Sequence, residues 1–220
     1  MSEACIAQVQ DKPWYSQADW LAKHESLLKA KDAASGATVV FLGDSITEGW
    51  SGAGQAAWEK HFAEFRPLNL GIGGDETSHV LWRIEHGALD GLQCKLVVLL
   101  IGTNNIGNAG QSGLETAEGV RRIVENIRQK LPQTKILLLG VFPRDEQPSA
   151  TLRREVKILT GAIISLHDGE MIHVMDLWRI FLPQGEVLSK DLFPDFLHLS
   201  EAGYELLAQT IAPRIRTLSK

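Results

Sequence analysis

Val39-Val40-Phe41-Leu42-Gly43-Asp44-Ser45 and, further on, Leu96-Val97-Val98-Leu99-Leu100-Ile101-Gly102-Thr103-Asn104-Asn105 share one pattern that identifies the fold class. Each is an unbroken apolar run that stops at a glycine and then turns polar. A run without alternation reads as a parallel strand covered on both faces. The residues just past the carboxyl end of such a strand are where an open α/β sheet keeps its ligand crevice. Ser45 and Asn104 are therefore candidate site residues by position as well as by residue type.

Outward from these two stretches, strand-like runs at 38–42, 67–70, 95–101, 135–141 and 171–177 alternate with helical periodicity near 55–65, 76–86, 113–131 and 150–167. Ser16, followed three residues on by Asp19, opens a helix that carries Trp20, Leu21, His24, Leu27 and Leu28 up to about Ala34; Ser200 caps a last helix from about Glu201 to Leu218. Strands alternating with helices read as βαβ units, and right-handed crossovers make them a three-layer α/β/α sandwich on a parallel sheet. Residues 1–220 are expected to form one domain, with 1–15 as a loose arm. Gly102, Gly107, Gly110 and Gly113 predict a mobile rim to the crevice.

A net charge of −5 without a Lys/Arg cluster excludes the phosphate-binding footprint of a nucleic-acid partner. The longest apolar stretch, Leu96 to Ile101, is far too short to span a bilayer, and the first ten residues lack the basic-then-apolar order of an export signal. Cys5 and Cys94 do not make a disulfide framework. The expectation is a soluble protein of the cytoplasm with two free thiols. Neither a cofactor nor a metal is expected. Gly71-Ile72-Gly73-Gly74-Asp75-Glu76 has Glu76 where a dinucleotide fingerprint needs its third glycine, and His24-Glu25 is followed by Leu28 instead of a second histidine. His61, His79, His86, His167 and His173 show no ligand spacing.

Serine is a weak nucleophile until a positioned base takes its proton. His198 is the candidate base for Ser45, and Asp195, three residues earlier, is close enough to fix the ring's tautomer and orientation. Acyl transfer also needs donors aimed at the developing oxyanion. The Asn104 side-chain amide, the backbone of Gly73-Gly74 and the amide of Ser45 itself are available. Singly, each block has a plainer reading: Gly-Asp-Ser is a common turn tripeptide, Asn104 could cap a loop, and His198 could merely precede a helix. Their joint placement at strand ends and in the last loop before a helix favours catalysis. The sequence Gly43-Asp44-Ser45-Ile46-Thr47 is not the α/β-hydrolase elbow, because Thr47 stands where the last glycine belongs.

Taken together, Gly-Asp-Ser, a glycine after the second strand, Gly-x-Asn after the third and Asp-x-x-His near the end resemble the SGNH, or GDSL, hydrolase superfamily. Within it, Leu68-Asn69-Leu70-Gly71-Ile72-Gly73-Gly74-Asp75, Val80-Leu81-Trp82-Arg83, Gly102-Thr103-Asn104-Asn105 and Asp195-Phe196-Leu197-His198-Leu199 are similar to the catalytic-subunit family of intracellular platelet-activating factor acetylhydrolase. The resemblance spans roughly residues 38 to 212 and leaves out the arm before Pro13. It implies a flavodoxin-like five-stranded parallel sheet and metal-free hydrolysis of a small-molecule ester through an acyl-serine. Ser45 would be the nucleophile, His198 the base, Asp195 its orienting acid, and Ser45, Gly74 and Asn104 the oxyanion donors. It also implies an acyl pocket narrowed by Ile46, Thr103 and Leu197, hence a short acyl group such as acetyl, and a homodimer as one arrangement. Asn105 departs from the aspartate common in the wider superfamily. Asp44 and Asp75 read as loop-holding residues, and Trp82 and Arg83 as packing plus a surface charge. The alternatives are a thioesterase or lysophospholipase with a longer acyl preference, and a non-catalytic ligand-binding module on the same fold.

Overall fold

The structure, a computed structural model, describes residues 2–34, 36–182 and 187–220. Five strands form one parallel sheet: β1 Val39–Gly43, β2 Leu68–Gly71, β3 Leu96–Leu100, β4 Lys135–Leu139 and β5 Ile172–Met175, in the order β2-β1-β3-β4-β5. Every residue of β1 and β3 is buried, as unbroken apolar runs in a doubly covered sheet require; the edge strands β2 and β5 are only partly so.

The helices are α1 Gln17–Ala33, α2 Ser45–Glu48, α3 Gln55–Phe62, α4 Thr77–Glu85, α5 Thr103–Gly107, α6 Gly113–Lys130, α7 Thr151–Ile163, α8 Trp178–Phe181 and α9 Glu201–Leu218. On one face of the sheet α3 packs against α9; on the other α4, α6 and α7 lie side by side, completing an α/β/α sandwich. The expected elements thus form, shortened by a residue or more at most strand ends and with 3-10 turns closing the helices at Phe65 and Leu166. Helix α1 buries only Trp20 and His24, and it lies against α4, with Trp20 tilted onto Trp82 and His24 bonded to the His86 carbonyl.

From β1 the chain crosses first to β2 and then back over β1 to β3, so the strand order reverses at β1. Gly43 pairs with Gly71 on one side and with Leu100 on the other. The loops that leave these three strands therefore start at one level, around the crevice of a topological switch point.

Two expectations are corrected. The arm is packed, not loose: Ala4 is fully buried, its carbonyl accepts from Thr77 Oγ1 at 2.8 Å, Gln8 bonds Ser78, and Lys12 pairs with Glu76. The glycine-bearing rim is partly helical and fastened from below. The buried amide of Asn105 donates to Thr77 Oγ1 at 2.8 Å and to Gln111 at 2.9 Å, and accepts from the Thr77 amide at 3.0 Å. These bonds explain why four glycines do not loosen the segment.

Candidate active site

Ser45 is the first residue of α2, so its backbone N–H has no intrahelical acceptor and faces the crevice end of the sheet. Asp44 caps this helix by accepting from the Ile46 amide at 3.0 Å, and the Tyr204 hydroxyl on α9 donates to the Ile46 carbonyl at 2.7 Å. A side chain at Gly71 would collide with the Glu48 amide; glycine there lets α2 sit directly on β2.

The Ser45 hydroxyl lies 3.0 Å from His198 Nε2, and His198 Nδ1 lies 2.7 Å from Asp195 Oδ2. With Nδ1–H donating to the carboxylate, Nε2 is left to accept from serine. The other Asp195 oxygen accepts from the amides of Leu197 at 3.0 Å and His198 at 2.7 Å, so the four residues 195–198 form a closed turn. Phe196 makes that turn with φ 60°, a left-handed conformation uncommon outside glycine, and its carbonyl is held by the Asp145 amide at 2.9 Å. Partial burial alone would raise the Asp195 carboxyl, but the hydrogen bonds from His198 and Leu197 outweigh it and hold the group below the usual range.

Beside Ser45, Gly74 has φ 77° and its amide donates to no acceptor among the described residues. The Asn104 amide nitrogen gives one hydrogen to the Asp75 carbonyl at 2.9 Å, leaving the second free. Its oxygen accepts from Asn108 at 3.2 Å, which fixes the orientation of the amide. The neighbouring Gly73 is gripped from both sides: its N–H donates to Glu48 Oε2 at 2.8 Å, and its carbonyl accepts from Gln10 Nε2 at 3.1 Å. Ser45, Gly74 and Asn104 line one cleft together, so three N–H groups are available along its wall.

Behind them lies a buried charge layer. Arg83 is fully buried, and its guanidinium reaches the Leu70 carbonyl at 2.7 Å, the Gly43 carbonyl at 3.1 Å and Asp75 at 2.7 Å. The reading of Arg83 as a surface charge is corrected: it ties the ends of β1 and β2 to the loop before α4. Trp20 completes the cage by donating to Asp75 at 2.7 Å. Burial raises the Asp75 carboxyl to about 7 against the pull of Arg83 and Trp20. Asp44, also buried, is raised to about 6, with the Ile46 amide, His198 and Arg144 opposing the shift. Arg144 donates to the Thr103 carbonyl at 2.9 Å and to Thr103 Oγ1 at 3.1 Å, bracing α5.

The cleft over Ser45 has a volume of about 480 Å³ and is bounded by His198, Gly74, Asn104 and Leu197. Of the three side chains expected to narrow an acyl pocket, Leu197 lines this cleft. Ile46 and Thr103 are buried behind it, Ile46 in the main core and Thr103 against Arg144. The cleft also has walls that the sequence did not disclose: Trp14 and Tyr15 from the arm, Glu48 from α2 and Asn108. Trp14 reaches it from more than thirty residues before Ser45, and Gln10 holds the Gly73 carbonyl from 63 residues away, both from a segment without periodicity. No local pattern marks such a contact.

The sequence matches the GDSL-like Lipase/Acylhydrolase family over residues 41–206. The platelet-activating factor acetylhydrolase IB subunit alpha2 of Rattus norvegicus is 33% identical over 201 residues, 90% of this chain and 84% of that one. The corresponding subunit beta homolog of Drosophila melanogaster is 38% identical over 184 residues, 79% of this chain and 78% of that one. Among solved structures, a GDSL-like lipase from Bacteroides thetaiotaomicron superposes with a TM-score of 0.75 at 20% identity, covering 89% of this chain and 98% of that one. A carbohydrate acetylesterase from Sinorhizobium meliloti does so at 0.63 and 18%, covering 82% and 98%. At these identities the two structures speak to the fold alone.

Proposed function

The chain belongs to the GDSL-like lipase/acylhydrolase family, a family of carboxylic ester hydrolases, and from that premise we propose that it is a serine esterase removing short acyl groups, acetyl first among them. The observation that carries the reading is the unbroken relay Ser45–His198–Asp195 at 3.0 Å and 2.7 Å, in a cleft that Gly74 and Asn104 also line.

In this mechanism His198 Nε2 takes the Ser45 proton as Oγ attacks the ester carbonyl, and Asp195 stabilises the imidazolium that forms. The carbonyl oxygen becomes an oxyanion held by the amides of Ser45 and Gly74 and by the free hydrogen of Asn104. One such donor is worth about 100- to 1000-fold in rate. Collapse breaks the ester bond, and His198 returns its proton to the leaving alcohol. Water, deprotonated by the same nitrogen, then releases the acid from acyl-Ser45.

The short acyl preference is supported by Leu197 on the cleft wall and by the packed side chains of Ile46 and Thr103, which close the space behind Ser45. The two relatives that are acetylhydrolase subunits by name point the same way. The test is hydrolysis of p-nitrophenyl acetate, butyrate and octanoate by wild type and Ser45→Ala. Acetate should be preferred, and all activity should vanish in the variant. A preference for octanoate would overturn the short-acyl reading, and activity surviving in Ser45→Ala would overturn the nucleophile. The two free cysteines suit a reducing, cytoplasmic setting. No helix among the described residues is long and apolar enough to cross a membrane.

A further inference from the structure

Trp14 is 65% exposed, although it is among the largest apolar side chains of the protein, and it stands on the wall of the cleft that holds Ser45 and His198. It makes no ring contact with any described aromatic, whereas Trp20, Trp50, Trp58 and Trp82 are all packed against other rings. Tyr15, Glu48 and Asn108 share the wall with it. The first offers a hydroxyl. The second offers a carboxylate, engaged on one side by the Gly73 amide and on the other by Lys23 at 2.6 Å. The third keeps one amide hydrogen free after bonding Asn104.

A bare aromatic face surrounded by neutral or acidic hydrogen-bonding groups is chemically matched to a pyranose. The ring's axial C–H bonds present a weakly positive, apolar surface to the π cloud, and its hydroxyls point outward to donors and acceptors at the rim. The same wall is poorly matched to a phosphodiester. No lysine or arginine lines the cleft among the described residues, Lys23 and Lys12 are neutralised by Glu48 and Glu76, and a phosphate would sit near the Glu48 carboxylate.

We infer that the alcohol side of the cleft is a glycosyl subsite in which Trp14 stacks on the sugar ring of an O-acetylated carbohydrate. This rests on the esterase reading and adds to it the identity of the alcohol and a specificity residue from the N-terminal arm. The wild type, Trp14→Ala and Trp14→Phe are compared on three acetyl esters: a mono-O-acetylated methyl glucoside, the ringless methyl acetate, and an acetylated lysophospholipid. Wild type should favour the glucoside over the lysophospholipid. Trp14→Ala should lower the ratio of kcat/KM for glucoside over methyl acetate about tenfold, chiefly through KM, and Trp14→Phe should restore most of it.

A lysophospholipid preference in wild type overturns the inference, as does an unchanged ratio in Trp14→Ala. An unchanged ratio accompanied by conversion of an oligomer to monomer in sedimentation would reassign Trp14 to a subunit contact. These outcomes leave the esterase reading standing. Failure of wild type on methyl acetate and on both larger esters would remove that reading, and the inference with it.

Discussion

Asp44 sits one residue before the proposed nucleophile, fully buried, with a single hydrogen bond to the Ile46 amide. Burial raises its carboxyl from 3.8 to about 6, so the fold disfavours the ionised form. The cost of that charge is absent below pH 3.8, grows between 3.8 and about 6, and is complete above. Asp44→Asn keeps the cap and removes the charge. The variant should unfold like wild type near pH 4 but be more stable at pH 8 by roughly 2–3 kcal/mol, read from denaturant midpoints. Equal stability at pH 8 would show that the charge is compensated in the fold. Asp195 is the opposite case at the same site. It is half-exposed and bracketed by N–H donors, and hence stays ionised to orient His198. Two carboxylates a short distance from one serine are thus driven apart by burial and hydrogen bonding.

Among the elements, the N-terminal arm changes the picture most. Gln10 is fully buried and holds the Gly73 carbonyl at 3.1 Å, while its own carbonyl oxygen crowds the place a side chain at Gly74 would take. Gln10→Ala should therefore release the loop that presents the Gly74 amide. We expect kcat on p-nitrophenyl acetate to fall about tenfold, less than the loss of a whole oxyanion donor, with KM little changed. An unchanged kcat would mean that Glu48 alone fixes the loop. The sequence revealed the strands, the last helix and the Asp195–His198 pair because those rest on local signals: apolar runs ending in glycine, Ser200 as a cap, and Asp195 three residues from His198. It did not reveal the arm, whose bonds to Gly73, Thr77 and Ser78 are long-range and carried by two glutamine side chains and a backbone carbonyl without period. Nor did it reveal the burial of Arg83, since its acceptors are the ends of strands whose relative position only the fold defines. The rim glycines misled because Asn105, buried beneath them, supplies the order they lack.

At the scale of the whole molecule, the strand order β2-β1-β3-β4-β5 brings Ser45, Gly74 and Asn104 together from three neighbouring strands, and α9 returns across the sheet so that the loop before it delivers His198. Residues 153 positions apart in sequence thereby meet at 3.0 Å. The claim on which all else depends is that Ser45 attacks and becomes acylated. It is tested most directly by treating the wild type and His198→Ala with a p-nitrophenyl alkylphosphonate and measuring intact mass and the labelled peptide. We expect one phosphonyl adduct per chain, located on Ser45 and formed in step with loss of esterase activity, and little or none in His198→Ala. An adduct elsewhere, or full inactivation with Ser45 unmodified, would contradict the account.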